Sequence, residues 1–323
     1  MMRRIAVLLF ATLWVWSAAA QETYPNRTIT LITPYAPGGG SDFLTRTLAE
    51  ALKTRLNQTV VVQNVTGAGG AVGSMQAAKA KPDGYTLLLN HIGMSTIPLL
   101  YKKLNFDPLA AYEFIGLFAE APMVILARKD FPPKDFAELV AYAKANKEKL
   151  TMASSGMGSA THLCAMLFQE ALGVPLTMVQ YKGGSPAMID VRAGQVDLLC
   201  DLPTTTSSLI RTGDVRAYVL TSTRRMASLP DVPTAAEAGM PSLDIGAWYG
   251  LYAPAGTPKP IIDVLNAALR DIVQDQAVAR QLEKIETELM PVGQATPEAH
   301  RAKLASQIEL WRPIIEKAGI QAE

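Results

Sequence analysis

Softer metal ligands are scarce in this 323-residue sequence: it has three histidines and two cysteines. His91, His162 and His300 are scattered, and Cys164 and Cys200 stand 36 positions apart, so neither set has a zinc spacing. No cofactor and no metal site are expected. Charge of one sign is missing too. Thirty Lys and Arg against 29 Asp and Glu give a formal charge of +1, which leaves no basic field to draw nucleic acid or an anionic membrane. After residue 20 no apolar run approaches the roughly 18 residues of a membrane span. Three catalytic or nucleotide signatures are also absent. The local order Ser155-Gly156-Met157-Gly158-Ser159 is not a G-x-S-x-G elbow, Gly38-Gly39-Gly40 is not G-x-G-x-x-G, and no G-K-[ST] occurs. A serine hydrolase built on Ser155 or Ser159 with His162 is thereby disfavoured, as is a nucleotide binder. No enzyme activity is expected. No repeat and no low-complexity segment is evident.

An export signal opens the chain. Met1–Arg4 is basic, Ile5–Trp16 is apolar, and Ser17–Ala20 supplies small residues at a cleavage point, expected after Ala20. No cysteine stands there for a lipid anchor. Without Arg3 and Arg4 the formal charge becomes −1. The remaining roughly 300 residues fit two domains. In an oxidising compartment Cys164 and Cys200 are expected either to pair or to remain two buried thiols.

Strand and helix patterns alternate from the start. Thr28–Pro34, Thr59–Val65 and Tyr85–Asn90 read as strands. Helices after each of two glycine turns carry Phe43, Leu44, Leu48, Leu52 and Leu56, then Val72, Met75 and Ala78. Such a β-α-β-α-β run implies a parallel sheet with right-handed crossovers. A second unit starts near Pro122, with strands at Met123–Arg128, Leu150–Ala153, Leu176–Tyr181, Val196–Cys200 and Val215–Ser222. Leu229–Pro233 reads as a linker, Thr234–Ala238 as a short helix, Ala247–Tyr252 as a strand, and Pro297–Ala318 as a long helix. The last part packs better on the first sheet than alone. Lobe 1 is therefore expected over 21–121 plus 229–323 and lobe 2 over 122–228, with 1–20 as the signal peptide. Two crossings make a hinge and a cleft.

Pro37-Gly38-Gly39-Gly40-Ser41-Asp42 is the organising stretch. Glycines between a strand and a helix let the backbone approach a guest, and the helix start adds unpaired N–H groups and a positive dipole end. The plainer reading is a tight turn capped by Ser41 or Asp42. Further loops at the same sheet edge, 66–71 and 90–95, favour a pocket. Gly39 is expected to be the glycine whose replacement by valine blocks the guest.

The order Tyr35–Asp42, Pro82-Asp83-Gly84-Tyr85-Thr86-Leu87, Ser154–His162, Tyr181-Lys182-Gly183, Gly194-Gln195-Val196-Asp197, Leu229–Thr234 and Trp248–Pro258 resembles the Bug (TctC-like) family, from about Tyr24 to Ala318. These are extracytoplasmic solute receptors of tripartite tricarboxylate transporters. The resemblance implies a two-lobed, type II periplasmic binding α/β fold, each lobe a mostly parallel sheet flanked by helices with a cleft between. It implies a periplasmic monomer, a small carboxylate ligand and integral-membrane transporter subunits as partners. The carboxylate is expected between the first-lobe glycine loop and the Ser/Gly loop of the second lobe. A receptor that feeds a sensor instead remains an alternative reading.

Carried onto this sequence, the expected ligand-binding set is Tyr35, Pro37, Gly38, Gly39, Gly40, Ser41, Gly69 and Asn90 with Ser154, Ser155, Gly158, Ser159, Thr161, His162, Asp201 and Thr204. Several have two readings. Tyr35 packs on the ligand or on the core. His162 donates to the ligand or caps its helix. Asp201 takes a ligand amine or hydroxyl, or caps the next helix. Trp248 and Tyr249 line the pocket or fill the core, and Lys182 neutralises a second carboxylate or is solvated. Asp42 reads as an N-cap, since a bare carboxylate would repel an anion.

Overall fold

β1 (Ile29–Thr33) is a β-branched, apolar strand that pairs in parallel with β2 (Val60–Asn64) on one side and β3 (Thr86–His91) on the other. Parallel neighbours need long crossovers, and α1 (Gly40–Leu56) and α2 (Ala71–Ala78) supply them. This computed structural model describes residues 24–321 except 102, 104, 105, 148, 223 and 227; the expected signal peptide lies outside the described residues. Leu44, Leu48 and Leu52, four apart, bury one face of α1, while Phe43 beside them turns outward at 38% exposure. In α2 the inward face is Ala71, Gly73, Ser74 and Ala77 rather than the expected Val72, Met75 and Ala78. The helix lies too close for larger residues, since a Cβ on Gly73 would come within 2.6 Å of the Val65 carbonyl oxygen.

Two single-turn helices, α3 (Ile97–Leu100) and α4 (Pro108–Ala111), lead to β4 (Tyr112–Pro122). After Met123 come β5 (Val124–Arg128), α5 (Phe136–Ala145), β6 (Thr151–Ser154), α6 (Ala160–Leu172), β7 (Thr177–Gln180), α7 (Gly184–Arg192), β8 (Leu198–Asp201), α8 (Pro203–Arg211) and β9 (Val215–Leu220). The order closes with β10 (Gly246–Pro254), α9 (Lys259–Ile272), α10 (Gln276–Glu283), β11 (Glu288–Leu289) and α11 (Pro297–Ala318). Thr234–Ala238 forms turns rather than the expected helix.

The strands make two sheets, ordered β11-β4-β10-β3-β1-β2 and β7-β6-β8-β5-β9. Both are mixed, where mostly parallel sheets are expected. In the first sheet β10 runs antiparallel to β3 and β4, and in the second β5 runs antiparallel to both β8 and β9. Alternation along β5 separates two cores: Ile125 and Ala127 face one, Val124 and Leu126 the other. Cys164 of α6 and Cys200 of β8 are fully buried and joined in a disulfide, which fixes that helix to its strand.

The segments joining the sheets meet at Thr221. Its hydroxyl donates to the Ile245 carbonyl (2.6 Å) and accepts from the Met123 N–H (2.9 Å). Its own N–H donates to the Met123 carbonyl and its carbonyl accepts from the Ile245 N–H. The segment 229–233 lies against the second sheet: Thr234 bridges in parallel to Leu220, and Met226, Leu229 and Val232 join the second core. Pairing with the first sheet resumes at Gly246.

Candidate functional site between the lobes

Four helices begin at one place. α1 starts after Gly39, α6 after Ser159, α7 after Gly183 and α8 after Leu202. First-turn N–H groups have no acceptor within their helix, and each start carries a positive dipole end. Between them lies a small cavity of about 20 Å³, walled by Gly39–Ser41, Ser159–Thr161, Gly184, Asp201 and Leu202 and completed by Tyr35, Ala36, His91 and Ser155. That is room for a water or two. No Lys or Arg is among the described residues lining it, so an anion here is met by dipoles and hydrogen-bond donors alone.

The aromatic wall is fixed from lobe 1. Tyr35 stacks on His91 with ring centroids 4.6 Å apart, and Tyr249 of β10 meets His91 edge-on at 5.5 Å. The Tyr35 hydroxyl donates to the Gly69 carbonyl (2.9 Å), and the Tyr249 hydroxyl shares a 3.1 Å hydrogen bond with Ser41 Oγ. Nδ1 of His91 accepts from the Gly93 N–H (3.0 Å). Burial pushes this imidazole down to about 3, so the ring is neutral and its proton sits on Nε2. On the lobe 2 side, Ser159 Oγ caps α6 through the His162 N–H, and Thr161 Oγ1 accepts from the Ser155 N–H (2.6 Å). Asp201 is 3% exposed and takes the Thr205 hydroxyl on Oδ2 (3.1 Å). Burial raises its carboxyl to about 6, against hydrogen bonds from the Leu202 N–H and Thr205 that lower it.

Ser155 also borders a second cavity of about 270 Å³, lined by the Gly67–Gly70 turn, Tyr101, Gly156, Met157 and the 180–182 segment. Small-molecule pockets begin near this size. A third, largely apolar groove of about 830 Å³ runs between α6, β7 and α11, past Met157, Met166, Met178 and Ile314, with Lys317 paired to Glu170 across it.

Around these spaces the lobes touch backbone to backbone. A Cβ on Gly69 would lie 1.7 Å from the Met157 carbonyl oxygen, and one on Gly183 2.7 Å from Ala36 Cβ. Thr96 Oγ1 donates to the Gly158 carbonyl (2.9 Å), Tyr101 to that of Met157 (3.1 Å), and Ser185 to that of Pro37 (3.3 Å). The cleft is shut.

Of the expected set, the small cavity gathers Tyr35, Gly39, Gly40, Ser41, Ser155, Ser159, Thr161 and Asp201. Gly69 lines the larger neighbour. The others are engaged elsewhere. Pro37 receives Ser185, and the Gly38 N–H binds Asp42. Asn90 spends its amide on Ser74 Oγ and on the His91 N–H. Ser154 bonds Gln180, and Gly158 serves the contact with Thr96. Thr204 Oγ1 is buried without a hydrogen-bond partner among the described residues, 2.2 Å from where a Gly40 Cβ would be. His162 accepts the Gly158 N–H on Nδ1 and faces the apolar groove instead; burial lowers it to about 4.

Asp42 sits at the third helical position rather than at the cap. Burial alone would raise its carboxyl, but bonds from Arg46, the Gly38 N–H and Asn64 outweigh that and hold it below the usual range. Trp248 is core and Tyr249 reaches the site. A Cβ on Gly39 would meet ordinary contacts at 3.7–3.8 Å, with the Ala36 carbonyl oxygen, the Gly184 nitrogen and Ser185 Oγ; at Gly40 it would come within 2.2 Å of Thr204 Oγ1 and 2.7 Å of Leu202 Cδ1. The sequence reading missed His91 and Gly184. Their signals were slight: one histidine at the carboxyl end of an apolar strand, and one of several Gly-Gly pairs.

The family model described as "Tripartite tricarboxylate transporter family receptor" matches residues 44–320. A protein of Agrobacterium vitis, "UPF0065 protein in the TAR-I ttuE-ttuC' intergenic region", is 43% identical over 319 residues, 98% of this chain and 92% of its own. The periplasmic binding protein BugD superposes with a TM-score of 0.89 at 43% identity, over 93% of this chain and all of its own. MatC from Rhodopseudomonas palustris, solved with bound malate, gives 0.86 at 35% identity, over 90% of this chain and 100% of its own. This chain belongs to the TctC family of tripartite tricarboxylate transporter receptors.

Proposed function

We propose that this chain is an exported receptor that shuts its two lobes on a small carboxylate and hands it to a tripartite-type membrane transporter. The convergence of four helix starts on one interlobe cavity that Lys and Arg do not line carries the reading. Such geometry suits a localised anion held by backbone amides. Each helix start contributes about 0.3–1 kcal/mol, more when buried, and each charge-assisted hydrogen bond about 1.5–3 kcal/mol. A few of these, less the cost of association, reach the roughly −8 kcal/mol of micromolar binding. The 20 Å³ cavity and the 270 Å³ one share Ser155 as a wall; in this reading one carboxyl group sits at the helix starts and the rest of the acid extends past Gly69 toward Lys182.

In this reading residues 1–20 direct export to the periplasm and are cleaved after Ala20, and the mature protein acts as a monomer. The lobes rotate about the Thr221 junction, with crossings at Met123 and Ile245. The resemblance to a malate-bound receptor supports an organic acid as guest. Thermal shift of the mature protein against a panel of mono-, di- and tricarboxylates tests it. A stabilising acid recovered chemically unchanged is the expected result. Turnover of that acid, or no shift with any acid, overturns it.

A further inference from the structure

Asp201 poses a problem that the carboxylate reading leaves open. Its carboxyl group is buried in the small cavity, the place assigned to the guest's own carboxylate. Burial raises its ionisation to about 6, and no cationic side chain among the described lining residues stands beside it. Two like charges in one desolvated site disfavour each other unless a donor stands between them. The donors among the described lining residues are all neutral, backbone N–H groups, hydroxyls and the His91 Nε2–H, and the guest's own carboxylate needs the same ones. Thr205 and the Leu202 N–H take part of the acceptor capacity, and a carboxylate has about four lone-pair positions. The Tyr249 hydroxyl is engaged with Ser41. No Lys or Arg is among the described lining residues. Nor is the carboxylate screened from the cavity: Gly184 stands against it bare, and a Cβ there would come within 3.1 Å of Oδ2.

We infer that the guest brings the missing donor: the site takes a carboxylate bearing an ammonium or hydroxyl group beside its carboxyl, and Asp201 is the residue that reads it. This rests on the carboxylate-receptor reading and narrows it to α-amino or α-hydroxy acids. If Asp201 only steadies the start of α8 through Thr205 and the Leu202 N–H, replacing it changes stability but treats all guests alike.

The test is calorimetric titration at pH 7.5 of the full mature protein with succinate, L-malate and L-aspartate. These share a four-carbon diacid and differ in carrying no donor, a hydroxyl or an ammonium. At least one donor-bearing acid should bind tenfold or more tighter than succinate, and which one does separates hydroxyl from ammonium. Asp201→Asn should bring that ratio within about threefold, by weakening the donor-bearing acid and leaving or improving succinate. Should that variant not fold, Asp201→Ser keeps a short side-chain oxygen beside the Thr205 hydroxyl that Asp201 accepts and carries the same expectation. Succinate binding as tightly as both others, or a preference that survives both substitutions, overturns the inference. If other panel acids bind while these three do not discriminate, only this inference falls. If no carboxylate binds at all, the receptor reading falls with it.

Discussion

At the scale of single residues, closure depends on what is missing from glycine. Gly69 has φ +58°, and its α-carbon faces the Met157 carbonyl with no space for a methyl group. Gly69→Ala meets backbone rather than a flexible side chain, so the closed state is lost while the open state pays only the left-handed penalty of about 1–2 kcal/mol. Affinity for the best panel acid should fall about 100-fold or more, with the fold retained by circular dichroism. A Cβ on Gly39 would meet only ordinary van der Waals contacts at 3.7–3.8 Å, so Gly39→Ala should bind within a few-fold of wild type.

The buried histidines set an acid limit. His91, His162 and His300 lie near 3, 4 and 3 in the folded protein, each lowered by burial. In the unfolded chain they titrate near 6.5, so between these values the unfolded state binds more protons. Stability is then fully present above about pH 6.5 and is lost as pH falls toward 3. Asp201, raised to about 6, works in the opposite direction and offsets about one of them below that pH. Urea denaturation should show a loss of roughly 2–3 kcal/mol per pH unit between about pH 6 and 4, and His91→Gln should flatten that slope.

At the scale of elements, the disulfide binds a site helix to a site strand. α6 carries Ser159 and Thr161, and β8 ends in Asp201, so the bridge holds both contributions of lobe 2 in one piece. Closing a loop of 36 positions is worth about 4 kcal/mol in the chain-entropy account. A Cys164→Ala/Cys200→Ala double variant should lose about 3–4 kcal/mol in guanidinium denaturation.

Local elements were the legible part of the fold. The first three strands and their two crossovers follow from apolar runs separated by glycine turns. β4 was missed although Tyr112, Phe114, Ile115, Leu117 and Phe118 give it a strand's composition. Gly116 breaks the run where its pairing with β10 shifts register. Strand direction was less readable. β5 finds its partners β8 and β9 some seventy to ninety positions downstream, and no local periodicity records such pairings. The lining of the candidate cavity was legible where a loop both opens a helix and borders it, as at Gly39–Ser41 and Ser159–Thr161. Asn90 and Ser154 do not line it, since their side chains bond at their own strand ends.

At the scale of the whole molecule, Thr221 is the place where two crossings become one junction. Its backbone and hydroxyl hold Met123 and Ile245 together, and the residue is fully buried. Thr221→Val leaves the Met123 N–H and the Ile245 carbonyl each short of one bond. It should cost about 1–3 kcal/mol in denaturant titrations, and Thr221→Ser should restore most of it.

The meeting of Gly69 with Met157 has a further consequence. It joins main chain to main chain, so the surfaces that latch the jaws are indifferent to cargo. In the proposed reading, recognition belongs to a few exchangeable side chains such as Asp201, set apart from that contact. On that reading a lineage can trade one acid for another by altering those side chains while the shutting movement is inherited unchanged.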